Sequence, residues 1–330
     1  MKLPRRTFLR LAAGAAALPA MPRRGRAQAY PARSITVIVP FAPGGGTDIA
    51  ARVVGEHMSR TLGQQLIVEN MPGAGGTTGS IRAMRATPDG YTLEMGHIGT
   101  HAIAVWLYPH LAYKPDVDFE PIGLAMENPL LIVARKDFPP TNLAEFVAYL
   151  KANSQQLNMA HAGVGSILFS YGLMLNSIIG AKPTLVPFNG GGPATTALLG
   201  RQIDYMCGAI TDVGHHVQSG AVKAYAIAAD ERDATLPDVP TTTEAGLPGF
   251  KAMPWFALFA PKGTPRPVLD KVSDALEAAL DDEGVRKRFT TLGGVIPAKA
   301  RRGPQALATI VKDEIARWAP IIQAANISRQ

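Results

Sequence analysis

The stretch Ile35–Leu62 reads ITVIVPFAPGGGTDIAARVVGEHMSRTL. Its opening residues Ile35, Val37, Ile38 and Val39 make a short apolar, β-branched run that breaks at Pro40 and Pro43, crosses Gly44, Gly45 and Gly46, and then turns amphipathic. Ile49, Val53, Val54, Met58 and Leu62 fall on one helical face, with Glu56 four residues before Arg60 on the polar side. The pattern predicts strand, tight glycine loop, helix, with Thr47 or Asp48 able to cap the first turn. A helix start fed by such a loop has unpaired backbone N–H groups, and the helix dipole favours an anion there. The expected guest is small and negative.

Neither nucleotide fingerprint fits the loop. Ile49 stands where the third glycine of G-x-G-x-x-G belongs, and no Lys follows as the phosphate-loop pattern requires. Asp48 would repel a pyrophosphate. A carboxylate meets the same repulsion, so a bridging water or a ligand donor is expected between it and Asp48. The plainer reading is that Asp48 and the glycines only make a capped turn.

Residues 1–27, MKLPRRTFLRLAAGAAALPAMPRRGRA, have the basic opening, apolar run and small-residue exit of an export signal. Arg5 and Arg6 followed by Thr7, Phe8 and Leu9 resemble a twin-arginine signal, with cleavage expected after Ala27. The segment holds seven of the 33 basic residues and no acidic ones, which leaves 26 basic and 26 acidic residues in the mature chain. A neutral total gives no support for binding nucleic acid or an anionic membrane. Cys207 is the single cysteine and cannot form an intramolecular disulfide; within DYMCGAI it reads as a buried small hydrophobe.

The strand–loop–helix pattern recurs. Leu66–Val68 precedes the loop NMPGAGGTTGS, and TLEMG leads into HIGTHAIA. From Leu130 a second block runs through LLIVARKDF, a helix near 142–152, LNMAHAG with the loop Gly163–Ser166, ILFSYGLMLNSI, TLVPF, NGGGPATTALLGRQID, IDYMCGAI and VKAYAIAA. MPWFALFAPKGTP and two amphipathic helices close the chain. Alternating strands and helices joined by glycine loops indicate α/β architecture with parallel sheets, whose ligands bind at the carboxyl ends of the strands. A chain that leaves one domain, builds another and returns has two crossovers and a cleft, expected to hinge near residues 127–132 and 250–258.

PxxxGGGTD after the first strand, PGAGGTTGS after the second, GTHAI after the third, and later GGGPATTALLGRQID and ALFAPKGTP resemble, in this order, the periplasmic substrate-binding proteins of tripartite tricarboxylate transporters, the Bug family. The likeness covers nearly the whole mature chain. It implies a two-lobed periplasmic-binding-protein (flytrap) fold, each lobe a mainly parallel sheet flanked by helices, with residues 28–129 plus 252–330 in lobe 1 and 130–251 in lobe 2. It implies a carboxylate ligand: a dicarboxylate, an aromatic acid or an acidic amino acid. The partners it implies are membrane transporter subunits, the chain acting as a monomer without a cofactor. The loop Phe41–Asp48, with Phe41, Gly45, Thr47 and Asp48, and the loop Gly163–Ser166, with Gly163, Gly165 and Ser166, are expected to grip one carboxylate. Thr77, His97, Thr100, Gly191 and Asp212 are expected at its other end.

No Lys or Arg falls within these glycine loops, so recognition is expected to rest on backbone N–H groups, hydroxyls and histidine, favouring one well-gripped carboxylate over a tricarboxylate. Phe41, Trp255 or Phe256 could add an apolar wall. His97 and His101 lack a third ligand spaced for a metal, and the consecutive His215 and His216 should point apart on the surface. Asp212 reads equally as a turn or helix cap. A ligand-sensing receptor for a membrane signalling partner, or a hydrolytic or isomerising α/β enzyme, are the alternatives. For the latter G-x-S-x-G is absent, although Asp48 and His97 could make a base and its orienter.

Overall fold

β1 (Ile35–Val39) lies between β2 (Leu66–Asn70) and β3 (Thr92–His97), parallel to both. Its near-continuous apolar run suits a strand covered on both faces. The computed structural model describes residues 30–324; the export signal read in residues 1–27 lies outside them. After the glycines comes α1 (Gly46–Leu62), which buries Ala50, Val53, Val54, Met58 and Leu62 and stops at Gly63, whose φ of 70° is the left-handed helix end that glycine adopts freely. Its N-cap is Gly45, with no side chain bonding the first turn. The expected capping by Thr47 or Asp48 does not occur, because Asp48 Oδ2 instead accepts from the N–H of Gly44 before the helix, at 3.1 Å.

The first sheet has the order β2-β1-β3-β10-β4, where β4 is Phe119–Glu127 and β10 is Trp255–Pro261. α2 (Thr77–Met84) and the short α3 (Ala104–Leu107) join its early strands. The second sheet has the order β7-β6-β8-β5-β9, built from β5 (Leu130–Arg135), β6 (Asn158–His161), β7 (Thr184–Pro187), β8 (Tyr205–Ala209) and β9 (Val222–Ile227). Between its strands lie α4 (Leu143–Asn153), α5 (Ile167–Ile179), α6 (Gly191–Leu199) and α7 (Ile210–Gln218). The chain then returns through β10 to α8 (Arg266–Asp281), α9 (Glu283–Thr291) and α10 (Gly303–Ala324). These are two lobes, each an α/β layer structure.

Each sheet carries one strand that runs against the other four, β10 in the first and β5 in the second. The crossovers account for both. β4 passes into β5 through Asn128 and Pro129 alone, so β5 starts at the cleft, where the parallel strands of its sheet end. β10 enters the first sheet from the cleft in the same way. The two crossing segments also pair: Asn128 N–H donates to Pro254 O at 3.0 Å, and Leu130 N–H to Ala252 O at 3.1 Å. Cys207 is buried in β8, and burial pushes its thiol up to about 12.

Candidate functional site

Four helices begin at the cleft between the lobes, because each follows a strand whose carboxyl end points there. A cavity of about 30 Å³ is lined by Gly46 and Thr47 of α1, Ile167 and Leu168 of α5, Gly191 of α6 and Asp212 of α7, together with Phe41, Gly45, His97, Ala162, Ser166, Ala209 and Phe256. The first turns of all four helices therefore face one small space, and among the described residues no Lys or Arg lines it. The space suits a carboxylate-sized group or one to two waters. It shares Phe41 and Ala162 with an outer hollow of about 530 Å³ whose wall includes Gly73–Gly75, Tyr108, His161, Gly163, Val164, Phe169 and Phe188. A hollow of about 720 Å³ behind α1, edged by Arg52, Glu56, Arg60 and Arg288, is a surface feature of the first lobe alone.

Asp212 reaches the first lobe from the second. The N–H of Gly46, the opening residue of α1, lies on the side of its carboxylate and favours the charged form, and Thr211 Oγ1 donates to its Oδ1 at 3.0 Å. Asn128 of the first crossover donates through Nδ2 to Thr211 Oγ1 at 2.6 Å, so the crossover, Thr211 and Asp212 form one chain of bonds. Complete burial pushes Asp212 up to about 7, although the Thr211 bond and the Gly46 N–H pull it down. The bare N-terminus of α1 is thus faced by the carboxyl group of Asp212 from the opposite lobe. Asp212 does not cap α7, whose N-cap is Ala209 with no side-chain bond; it stands in the first turn and lines the cavity.

Ser166 is the N-cap of α5, its Oγ accepting from Phe169 N–H at 3.2 Å. It is 1% exposed and lines the cavity. His97 ends β3, with Phe41 stacked on it at 4.8 Å and Phe256 edge-on at 5.9 Å. Burial pushes its imidazole down to about 3, so the ring is neutral at ordinary pH.

Of the residues singled out from sequence, Phe41, Gly45, Thr47, His97, Ser166, Gly191 and Asp212 are brought together around the cavity. Gly163 borders the outer hollow. Asp48, Thr77, Thr100 and Gly165 do not line the cavity. Asp48 turns its carboxylate to Arg52 Nε at 2.9 Å, Asn70 Nδ2 at 2.9 Å and Gly44 N–H. Burial pushes Asp48 up, but these donors outweigh it and hold the carboxyl below its ordinary value. Because Asn70 also donates to Phe41 O at 3.0 Å, Asp48 braces the loop from behind. Thr77 Oγ1 donates to Ala74 O at 2.9 Å, and Thr100 is spent on the backbone of His97.

Gly46, Ile167 and Leu168 were missed as lining residues, yet each lies in a helix first turn and the rule that found Thr47 reaches them. Ala162 and Ala209 carried no signal, being small residues beside a strand end. Phe256 lines the cavity, whereas Trp255 is buried beside it. Contrary to expectation, His215 and His216 lie together, ring centroids 3.6 Å apart, and neither lines the cavity. Among the described residues no group of three His, Cys, Asp or Glu is arranged to hold a metal ion.

The lobes meet beside the outer hollow. Ala42 N–H donates to Asn189 O at 2.9 Å, and Tyr108 Oη lies 2.7 Å from Val164 O and 2.9 Å from Ala74 O. At Gly75, with φ of 62°, a Cβ would stand 1.5 Å from Val164 O, so only glycine lets these loops touch.

A family model described as tripartite tricarboxylate transporter family receptor, TctC, matches residues 50–327. MatC of Rhodopseudomonas palustris, solved with bound malate, is 50% identical; the match covers 89% of this chain and 100% of that one, with a TM-score of 0.86. The periplasmic binding protein BugD is 41% identical over 91% of this chain and 100% of that one, with a TM-score of 0.88. A protein of Agrobacterium vitis named for the TAR-I ttuE-ttuC' intergenic region is 44% identical over 90% of this chain and 86% of its own length.

Proposed function

This chain belongs to the tripartite tricarboxylate transporter receptor family, and from that premise we propose that it captures a small dicarboxylate, of the size of malate, between its lobes and hands it to the membrane subunits of such a transporter. The observation that carries the reading is the convergence of four helix first turns, the hydroxyls of Thr47 and Ser166 and the neutral ring of His97 on one space without a cation. Such a site binds a carboxylate through dipoles and hydrogen bonds, which favours a modest anion over a tricarboxylate. The malate in MatC, at half identity, is of that class.

In this reading Phe41, Gly45, Thr47, His97, Ser166, Gly191 and Asp212 meet the ligand. The signal in residues 1–27 sends the chain to the periplasm by the twin-arginine route, where it works as a monomer. Residues 28–129 with 252–330 move as one body and 130–251 as the other, about the paired crossovers near 127–132 and 250–258. Ligand contacts from both bodies favour the closed arrangement.

The test is a thermal-shift screen of residues 28–330 against mono-, di- and tricarboxylates, aromatic acids and amino acids. A ligand at a hundredfold excess over its Kd adds ~2.7 kcal/mol of stability by mass action. A saturable shift with malate or a similar diacid, and an unconsumed ligand, is the expected result. A flat response across the acids, or turnover of the ligand, contradicts it.

A further inference from the structure

His97 Nδ1 accepts two backbone hydrogen bonds from its own turn, from Gly99 N–H at 2.9 Å and from Thr100 N–H at 3.2 Å. A ring nitrogen that accepts cannot carry the proton, so the neutral ring holds it on Nε2. The ring lines the cavity, and no hydrogen bond to Nε2 is made from any described residue. Resting on the carboxylate reading above, we propose that His97 is a specificity-determining residue locked as the Nε2–H tautomer, presenting a neutral donor that admits an acceptor oxygen of the ligand and rejects an ammonium at that spot.

The turn that locks it has its own support. Thr100 Oγ1 spans the backbone of His97, 3.1 Å from its N and 3.1 Å from its O, and lies 2.9 Å from His101 Nδ1. On the far side of His101, Nε2 faces Glu94 Oε2 at 3.8 Å, and neither atom has a hydrogen-bond partner although both residues are fully buried. Glu94 Oε1 takes the hydroxyl of Ser80 at 2.6 Å, which ties the pair to α2, while Tyr113 Oη donates to Thr100 O at 2.8 Å. Burial raises Glu94 to about 8 and holds His101 well below its ordinary value, so the pair is neutral at pH 7. Glu94 and His101 are positioning residues for the turn. Gly99 is required in it, since a Cβ there would stand 2.5 Å from His97 Cε1 and 2.4 Å from Gly165 O across the cleft.

The first arm of the test needs no ligand. Long-range proton–nitrogen correlation NMR on residues 28–330 labelled with ¹⁵N-histidine, assigned by comparison with His97→Phe, should show the Nε2–H pattern for His97, unchanged from pH 5 to pH 8. An Nδ1–H pattern, or titration of His97 in that range, overturns the lock. Glu94→Leu should blur or reverse the pattern while Glu94→Gln keeps it; an unaltered pattern in both removes the positioning role. The second arm titrates L-malate into wild type, His97→Gln, which retains a donor near the Nε2 position, and His97→Phe. His97→Phe should lose about tenfold or more in affinity and His97→Gln less than about threefold. Equal affinity of wild type and His97→Phe overturns the specificity role with the carboxylate reading intact. If wild type binds none of the acids, the carboxylate reading falls and the role with it, while the NMR pattern still decides the tautomer.

Discussion

The two lobes solve the start of their first cleft helix differently. In the second lobe, β6 leads through His161 and Gly163 to α5, where Ser166 caps the first turn within its own loop, and His161 Nδ1 accepts Gly163 N–H at 3.1 Å. In the first lobe, β1 leads through Pro40 and the three glycines to α1, whose cap Gly45 brings no side chain. The side chain that faces this start comes from α7 of the opposite lobe as Asp212. The start of α5 is capped within its own loop, and the start of α1 is faced from across the cleft. A helix start left open by its own sequence is a place where an anion from elsewhere is stabilised, whether a protein carboxylate or a ligand.

The comparison breaks most sharply at the lobe contact. Gly75→Ala places a methyl group against Val164 O and forces a left-handed alanine, so closure should fail. Titration of L-malate should then show a loss of ~100-fold in affinity, about 2.7 kcal/mol. Full affinity in this variant would mean that binding does not require the loops to touch. Asp212→Asn sharpens the cross-lobe contact. Its affinity for malate should fall ~10-fold, as when a buried acceptor is replaced by a donor.

That variant also has a pH signature. Asp212 is raised from 3.8 to about 7 by burial, so the closed chain holds a proton that the unfolded chain releases. The stability this confers is full below about pH 4 and is lost as pH rises to about 7. Glu94, raised from 4.5 to about 8 by burial, acts with the same sign. The difference in Tm between wild type and Asp212→Asn should therefore shift against wild type from pH 4 to pH 7, and a constant difference would contradict the buried, protonated carboxyl.

Smaller effects separate bracing from binding. Asp48→Ala removes the acceptor for Arg52, Asn70 and Gly44, and should lower stability by ~1–3 kcal/mol while affinity changes little. A large affinity loss without a change in Tm would return Asp48 to the ligand. Ser166→Ala should cost ~1 kcal/mol as a lost N-cap, read by urea denaturation. No change there would mean that α5 does not depend on its own cap.

Periodicity and glycine placement made most of the fold legible. Ile35–Val39 and the helix to Leu62 stand where the pattern set them, and so do the second-lobe strands at Leu130, Thr184 and Val222. β4 was not legible, because Pro121 and Gly123 interrupt its run; it is held by pairing with β10, a partner from far along the chain. The two reversed strands were likewise hidden, since direction depends on where a crossover enters a sheet. In the site, the strand-end loops were visible but the fate of each side chain was not. Asp48 and Asp212 look alike in sequence, each in a helix first turn. Only the position of Arg52 and Asn70 turns one inward as a brace, and only closure brings the other to α1.

The central claim, that a small dicarboxylate binds by closing the lobes over the first turn of α1, is tested most directly by small-angle X-ray scattering of residues 28–330 with and without saturating L-malate. Wild type should contract on adding malate, while Gly75→Ala keeps the scattering profile it has without malate. The same profile for wild type in both conditions, at concentrations where calorimetry records binding, would contradict the account.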